Sequence, residues 1–387
     1  MADVEGGSFV NVCLSYFIYM IIAVNTRLNK ETQPEGYEIF MFSILNHLTE
    51  KFPQHKFIYI FDQPYSESYV FAKNVTPTIA GPKTNNSLRL KYWLNYKIPA
   101  LLRKHKAGVF LNMEGICSLR TKTAQCLLIS DLSFLQSSPL IKRPQSRFYK
   151  KYTAAFLAKA KAIATVSEYS KKIIADHYKI AADNIAVVHP GVDGIFKPLG
   201  WGEQEIIKEK YADGKAYFLC GGNSNLINLL KAFSFFKKRQ KSGMLLLITC
   251  NTDENFKTAF KTYKLRNEVK LLEDLDKTEL SKITASAYAV VYPVLYNDIA
   301  LPALQSLQCN VPLITSDAGS LPAVFGEAAL FVNPESFEDI AQKMMLIFKD
   351  EEKAKELVKA GNELMKQYQP DKNADLLMQC ILKAANS

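Results

Sequence analysis

The chain has 387 residues, 48% hydrophobic and 22% charged, with a mean hydropathy of -0.06. This composition excludes collagen-like, low-complexity and multi-span membrane classes, and the length favours two globular domains over one core. The net charge of +10 is unevenly divided: residues 1–198 carry 25 Lys+Arg against 14 Asp+Glu, and the remainder carries 23 against 24. A basic first half suits an anionic partner such as a membrane surface, a phosphorylated lipid or an acidic polymer, or serves solubility alone. No nucleic-acid motif accompanies the charge, so no nucleic-acid partner is expected.

In chain order, the apolar stretch Phe9 to Val24 comes first. It is shorter than the roughly 20 residues a spanning helix needs and lacks a basic leader. It reads as a buried strand from about Met20, which would be the natural start, with residues 1–19 as an extension; a short interfacial anchor is the other reading. Strand-like runs at Ile21–Val24, Phe57–Phe61, Val109–Leu111, Leu127–Ile129, Ala162–Val166 and Ile185–Val188 alternate with helical patterns at Tyr37–Leu48, Tyr92–Leu102 and Phe148–Lys159. Such alternation predicts a parallel sheet. The Gly- and Pro-rich stretch His189–Gly200 marks a boundary. A second alternation follows, with strands at Ala216–Cys220, Met244–Thr249, Val269–Leu272, Ala289–Tyr292 and Leu313–Thr315. The expected organisation is α/β: a Rossmann-like domain over residues 20–198, a second over 199–369, and a helix in 370–387 crossing back to the first. Ligands of such folds meet the carboxyl ends of the strands, so a cleft between the two domains is expected to hold the site.

The 7 cysteines (Cys13, Cys117, Cys126, Cys220, Cys250, Cys309, Cys380) are scattered and form no Cys-x-x-Cys pair. They fit a reduced cytosol, and none is assigned to metal or catalysis. A dinucleotide oxidoreductase is disfavoured: residues 25–29 contain no glycine, and residues 221–225 do not match Gly-x-Gly-x-x-Gly.

Several ordered segments carry more specific information: Ile22 to Arg27, Ala164 to Lys171, Val187 to Asp193, Asn228 to Phe233, Ala300 to Leu307, Val311 to Ser316, Gly319 to Pro322 and Gly326 to Pro334. In order and spacing they resemble glycosyltransferase family 4, the retaining GT-B enzymes that use nucleotide-sugar donors, over residues 20 to about 367. The resemblance implies a GT-B fold of two Rossmann-like domains, a nucleotide held by the second domain, and a donor phosphate at a helix N-terminus, where free backbone N–H groups and the helix dipole favour an anion. Asn297, Asp298, Ile299, Ala300 and Leu301 match that place.

The same resemblance locates departures from the family pattern. Two glutamates, for donor-sugar and ribose hydroxyls, are replaced by Asn297 and Gln305. A longer loop with Arg and Lys is replaced by Gly222, Asn223, Ser224 and Asn225. A catalytic-side His-Asp pair is replaced by Ser130 and Asp131. The glycine loop after the first strand is represented by Gly36, followed by Tyr37 and Glu38, an acid that would repel phosphate. The implied donor-side set is therefore Gly36, Gly222, Asn223, Ser224, Asn297, Asp298, Ile299, Ala300, Leu301 and Gln305, with Ser130, Asp131 and Asn297 at the catalytic positions. No metal or resident cofactor is implied.

Two functions fit: a fold-retaining member of a glycan-assembly system with weak or lost sugar transfer, binding other assembly proteins, or an active enzyme with an unusual donor site acting on a glycan or lipid-linked acceptor. Arg89, Lys91, Trp93, Tyr96 and Lys97, with Arg147, Phe148, Lys150 and Lys151, interleave cations with aromatics. They read either as a core stripe with solvated lysines or as a surface for the inner face of an anionic membrane, and the expected location is cytoplasmic.

Overall fold

Short runs of Val, Ile, Leu and Phe without polar alternation make strands covered on both faces, the pattern of parallel sheets flanked by helices. The computed structural model describes residues 19–28, 36–135, 146–222, 225–250 and 252–387. The reading of an N-terminal extension lies, apart from Tyr19, outside the described residues. The chain forms two units, one running to Gly191 and resuming at Pro370–Ser387, the other Val192–Gln369.

The first unit holds β1 (Ile21–Asn25), β2 (Lys56–Phe61), β3 (Val75–Ile79), β4 (Val109–Asn112), β5 (Ala124–Ile129), β6 (Ala162–Thr165) and β7 (Ile185–Val187). They form a parallel sheet in the order β3-β2-β1-β4-β5-β6-β7, with Asn25 opposite Asn112. The sequence reading missed β3 because Pro77 interrupts it; at a sheet edge a residue without an N–H donor is tolerated. Helix Pro370–Ala385 buries Ala374, Leu377, Met378 and Ile381 at i, i+3, i+4 and i+7, packing against helix Tyr37–Lys51 and strands β4 to β7.

Residues Ser87–Lys104 form one helical run with a π-helical turn at Trp93–Lys97. Here the core reading holds for Trp93 and Phe148, and the surface reading of these two rings does not. Trp93 is fully buried and its indole N–H donates to the Ala80 carbonyl at 2.6 Å, while Phe148 packs in the same core. Burying such large apolar rings outweighs any gain from exposing them, once the indole N–H has a partner.

The second unit holds β8 (Tyr217–Cys220), β9 (Leu245–Ile248), β10 (Val269–Leu271), β11 (Ala289–Tyr292), β12 (Leu313–Ser316) and β13 (Ala329–Val332), ordered β10-β9-β8-β11-β12-β13. Its core includes the apolar stripe of helix Leu226–Gln240: Leu226, Leu229, Leu230, Phe233 and Phe236. The six described cysteines are free and buried; burial pushes the Cys117 thiol up to about 12 and Cys380 up to about 11, which keeps both unreactive.

In each sheet the strand order reverses once, between β1 and β4 and between β8 and β11. The loops leaving these neighbours diverge, and the carboxyl ends there are the usual ligand positions of open α/β sheets.

One buried group gives the first unit an acid-sensitive point. His55 is 1% exposed, both ring nitrogens lack a hydrogen-bond partner among the described residues, and burial lowers its pKa. Above its ordinary value of about 6.5 the ring is neutral in both states; below it, the unfolded chain takes up a proton that the folded one refuses. Stability therefore falls as pH drops below that value, by up to about 1.4 kcal/mol per pH unit, until the folded pKa is reached. Urea denaturation of the parent and His55→Phe between neutral and mildly acid pH should show a shallower pH dependence in the variant; equal slopes would refute the assignment.

Candidate functional site

At the first switch point, Arg27 lies two residues beyond β1 and Glu114 two beyond β4. The guanidinium is fully buried. Its Nε donates to Glu114 Oε2 at 3.0 Å, and Nη2 donates to Oε1 of the same carboxylate. Nη1 donates to the Thr84 carbonyl at 3.2 Å and the Thr84 hydroxyl at 3.0 Å. Asp62, just past β2, accepts from the Thr84 N–H at 2.7 Å and hydroxyl at 2.6 Å. Asn25 donates to Glu114 at 3.3 Å, and Tyr149 does so at 3.4 Å. The ends of β1, β2 and β4 are thus tied by one network around a bidentate ion pair, whose planar geometry suits arginine and not lysine.

Four buried polar atoms around this network, Thr26 Oγ1, Tyr37 Oη, Asp62 Oδ1 and Asn112 Nδ2, have no hydrogen-bond partner among the described residues. Burial pushes the Tyr37 phenol far up, with the Arg27 charge opposing it. Such groups in native proteins normally meet ordered water or a ligand. Sequence reading did not find this cluster, since its members come from six separated segments.

The residues expected here from sequence are placed as follows. The Ser130 hydroxyl donates to the Met113 carbonyl at 3.2 Å. Asp131 accepts from the Ser133 N–H at 3.0 Å and its hydroxyl at 2.9 Å, capping the short turn Ser133–Leu135. Gly36 takes φ +80° before helix Tyr37–Lys51, a conformation open to glycine at little cost. Tyr37 turns into the core, and Glu38 accepts a hydrogen bond from the Tyr69 hydroxyl.

At the second switch point, Gly221 and Gly222 follow β8. A Cβ on Gly222 would lie 2.5 Å from the Tyr292 ring, and one on Gly221 would lie 3.0 Å from Pro302. Close packing therefore requires glycine at Gly222 and leaves no slack at Gly221. Asn223 and Ser224 lie outside the described residues. Beyond β11, the Asn297 side chain turns back on its own loop: Oδ1 accepts from the Ile299 N–H at 2.9 Å and the Ala300 N–H at 3.1 Å, and Nδ2 donates to the Tyr292 hydroxyl at 2.9 Å. Two of the loop N–H groups counted as free for an anion are hence engaged. Asp298 is buried and accepts from the Tyr296 hydroxyl at 2.7 Å.

Ala300 caps helix Leu301–Gln308 with φ +47° and ψ 38°, and Pro302 follows at the second helical position. The first-turn N–H groups of a helix lack intrahelical partners, so a proline there removes nothing the helix needs. Gln305 is only 8% exposed, and its side-chain amide makes no hydrogen bond to the described residues. The loop and helix thus offer one uncommitted amide and little positive charge.

Comparison with known proteins fits this geometry. Residues 35–194 match the family described as Glycosyltransferase Family 4, and residues 221–364 match Glycosyl transferases group 1. The chain is a GT-B glycosyltransferase of the family 4 type. It is 25% identical over 281 residues to the O-antigen chain mannosyltransferase RfbU of Salmonella typhimurium, covering 70% of this chain and 75% of that protein. Among solved structures it resembles sucrose-phosphate synthase from Thermosynechococcus elongatus, with TM-score 0.74 and 16% identity over 93% of this chain and 98% of that one. It also resembles Anabaena Alr3699/HepE in complex with UDP and glucose, with TM-score 0.71 and 12% identity over 92% and 97%. Nucleotide-sugar donors and glycan acceptors are typical of such glycosyltransferases.

Three variants test the local physics of the glycosyltransferase's switch points. Replacing Glu114 with Gln leaves the Arg27 cation buried without its counter-charge and should destabilise the first unit by about 3–5 kcal/mol, whereas joint replacement of Arg27 and Glu114 by Met should cost clearly less. Chemical denaturation distinguishes these outcomes. Ala300→Gly relieves a left-handed conformation that a Cβ disfavours and should stabilise by about 1 kcal/mol; a lowered melting temperature would contradict this.

Proposed function

We propose that this glycosyltransferase takes part in glycan or polysaccharide assembly with a nucleotide-sugar site on its second unit that is weak in binding and slow or inactive in transfer. The observation that carries the reading is Asn297. Where the family pattern has a glutamate for the donor sugar, this side chain is an amide whose oxygen and nitrogen are both engaged by its own loop and Tyr292. It presents no carboxylate to a sugar that becomes cationic in the transition state.

Three features support the same direction. Residues 221–225 contain no Lys or Arg to meet a leaving diphosphate. Gln305 offers an amide where the family has a ribose-binding carboxylate. Ser130 and Asp131 stand in place of the His-Asp pair and are hydrogen-bonded locally. Preorganised charge is the main catalytic resource for such a reaction, and losing one donor of this kind typically costs about 10²- to 10³-fold in rate. The buried free cysteines suit the cytoplasm as the place of action.

A second reading, active transfer with a non-standard site, draws support from the mannosyltransferase relative and from Gln305, whose uncommitted amide matches a ligand hydroxyl. The acceptor would then be an O-antigen-like glycan, and the donor a mannose or glucose nucleotide.

Calorimetric titration of the intact chain with GDP, UDP, GDP-mannose and UDP-glucose separates the readings. The proposal requires affinities well above micromolar for all four; micromolar binding of any one, with turnover on an added acceptor, overturns it. Gln305→Glu should tighten whichever nucleotide binds by roughly fivefold, because a charged hydrogen bond exceeds a neutral one by about 1 kcal/mol.

A further inference from the structure

Helix Leu226–Gln240 carries more apolar surface than the stripe it turns into the core of the second unit. On an adjoining face Ile227, Leu230 and Phe235, with Tyr263 and Phe337 from other segments, line a groove of about 450 Å³. Ile227 is 42% exposed, whereas Leu226 beside it is 4% exposed. The walls are fixed from within. The Ser234 hydroxyl donates to the Tyr263 hydroxyl at 2.8 Å, which donates to the Leu230 carbonyl at 2.8 Å, so the tyrosine is clamped against the helix. The Phe235 and Phe337 rings meet edge to face, with centroids 6.4 Å apart. A groove with such walls is preformed, which lowers the ordering cost of filling it.

Charge at the rim has one sign. The described lining includes Lys231 and Lys238 and no acid, and residues 226–252 contain five Lys+Arg without a single Asp or Glu. Neither Lys231 nor Lys238 has an ion-pair partner among the described residues. Other lysines of this unit pair with an acid one turn away, as Lys208 does with Glu205. Arg239 lies 5.2 Å from the Phe235 ring centroid, a contact that leaves its charge intact.

We propose that this groove docks an acidic, amphipathic segment of a partner protein, its apolar side chains against Ile227, Phe235 and Phe337 and its carboxylates on Lys231 and Lys238. The two lysines stand two turns apart on one helix, roughly 10 Å along its axis. Acids two turns apart on a partner helix therefore meet both, with apolar anchors between them. Two copies of this chain meeting groove to groove would instead oppose like charges. The proposal goes beyond the reading of the donor site and does not depend on it.

The probe is a fluorescein-labelled helical peptide with leucines along one face and glutamates flanking them, titrated with the full chain at low salt by fluorescence anisotropy. Two control peptides carry lysines in place of the glutamates or serines in place of the leucines. The acidic leucine peptide should bind with micromolar affinity that weakens as salt screens the charges, and both controls should bind at least about tenfold more weakly. Lys231→Glu combined with Lys238→Glu should weaken binding by at least about tenfold, and Ile227→Ser by about fivefold. Lys215→Glu, outside the groove, should leave it unchanged. These positions are exposed, and an unchanged melting temperature shows that each variant is folded. Absence of binding, equal binding of either control peptide, or unchanged binding by the Lys231/Lys238 variant overturns the proposal. So does binding to phosphatidylglycerol vesicles, or self-association in sedimentation velocity, that Ile227→Ser abolishes while the peptide fails to bind; the groove then belongs to lipid or to a second copy.

Discussion

At the carboxyl ends of parallel strands, helices cover both sheet faces, and any polar side chain enclosed there must find a partner or carry its full desolvation cost. The two units meet this constraint differently. In the first, Arg27 and Glu114 join the ends of β1 and β4 through a bidentate pair, and Thr84 and Asp62 extend the network to β2. In the second, Asn297 ties its own loop to the end of β11 with a single amide that accepts two backbone N–H groups and donates to Tyr292.

The difference has chemical consequences. An ion pair enclosed in protein neutralises itself, so the Arg27 charge is largely unavailable to a distant anion. An amide whose oxygen and nitrogen are both engaged is similarly unavailable to a sugar. Asn297 is short enough to reach its own N–H groups. Gln305 differs because it projects from within a helix whose backbone is already hydrogen-bonded, leaving its amide uncommitted.

Much of the fold was legible because parallel strands are continuous apolar runs, and the turn-rich stretch His189–Gly200 interrupts them. The edge strand β3 was not, since the rule that proline breaks strands applies to central positions and not to edges. Trp93 and Phe148 could be read as core or as surface residues because cation–aromatic interleaving records sequence neighbours, whereas burial depends on which way a helix turns. The Arg27–Glu114 pair was invisible for another reason: its members are 87 residues apart and become neighbours only through the β1–β4 reversal. The family positions Asn297 and Gln305 could be located in sequence, but whether each amide was engaged or uncommitted depended on backbone geometry.

Charge pairing on the helix surfaces provides a final contrast. In the second unit, lysines commonly meet an acid one turn away: Lys208 with Glu205, Lys353 with Glu356, Lys355 with Glu352 and Lys366 with Glu363. These exposed pairs add little stability, each about 0.3–0.5 kcal/mol at best, but they cancel the local field. The helical run Ser87–Lys104 contains no acid at all, and neighbouring cations are held over tyrosine rings that leave their charge intact. Accumulated like charge opposes compact folding through self-repulsion. The buried core around Trp93, Leu94 and Ile98 holds the segment in place against that repulsion, so the field remains directed outward beside an exposed leucine.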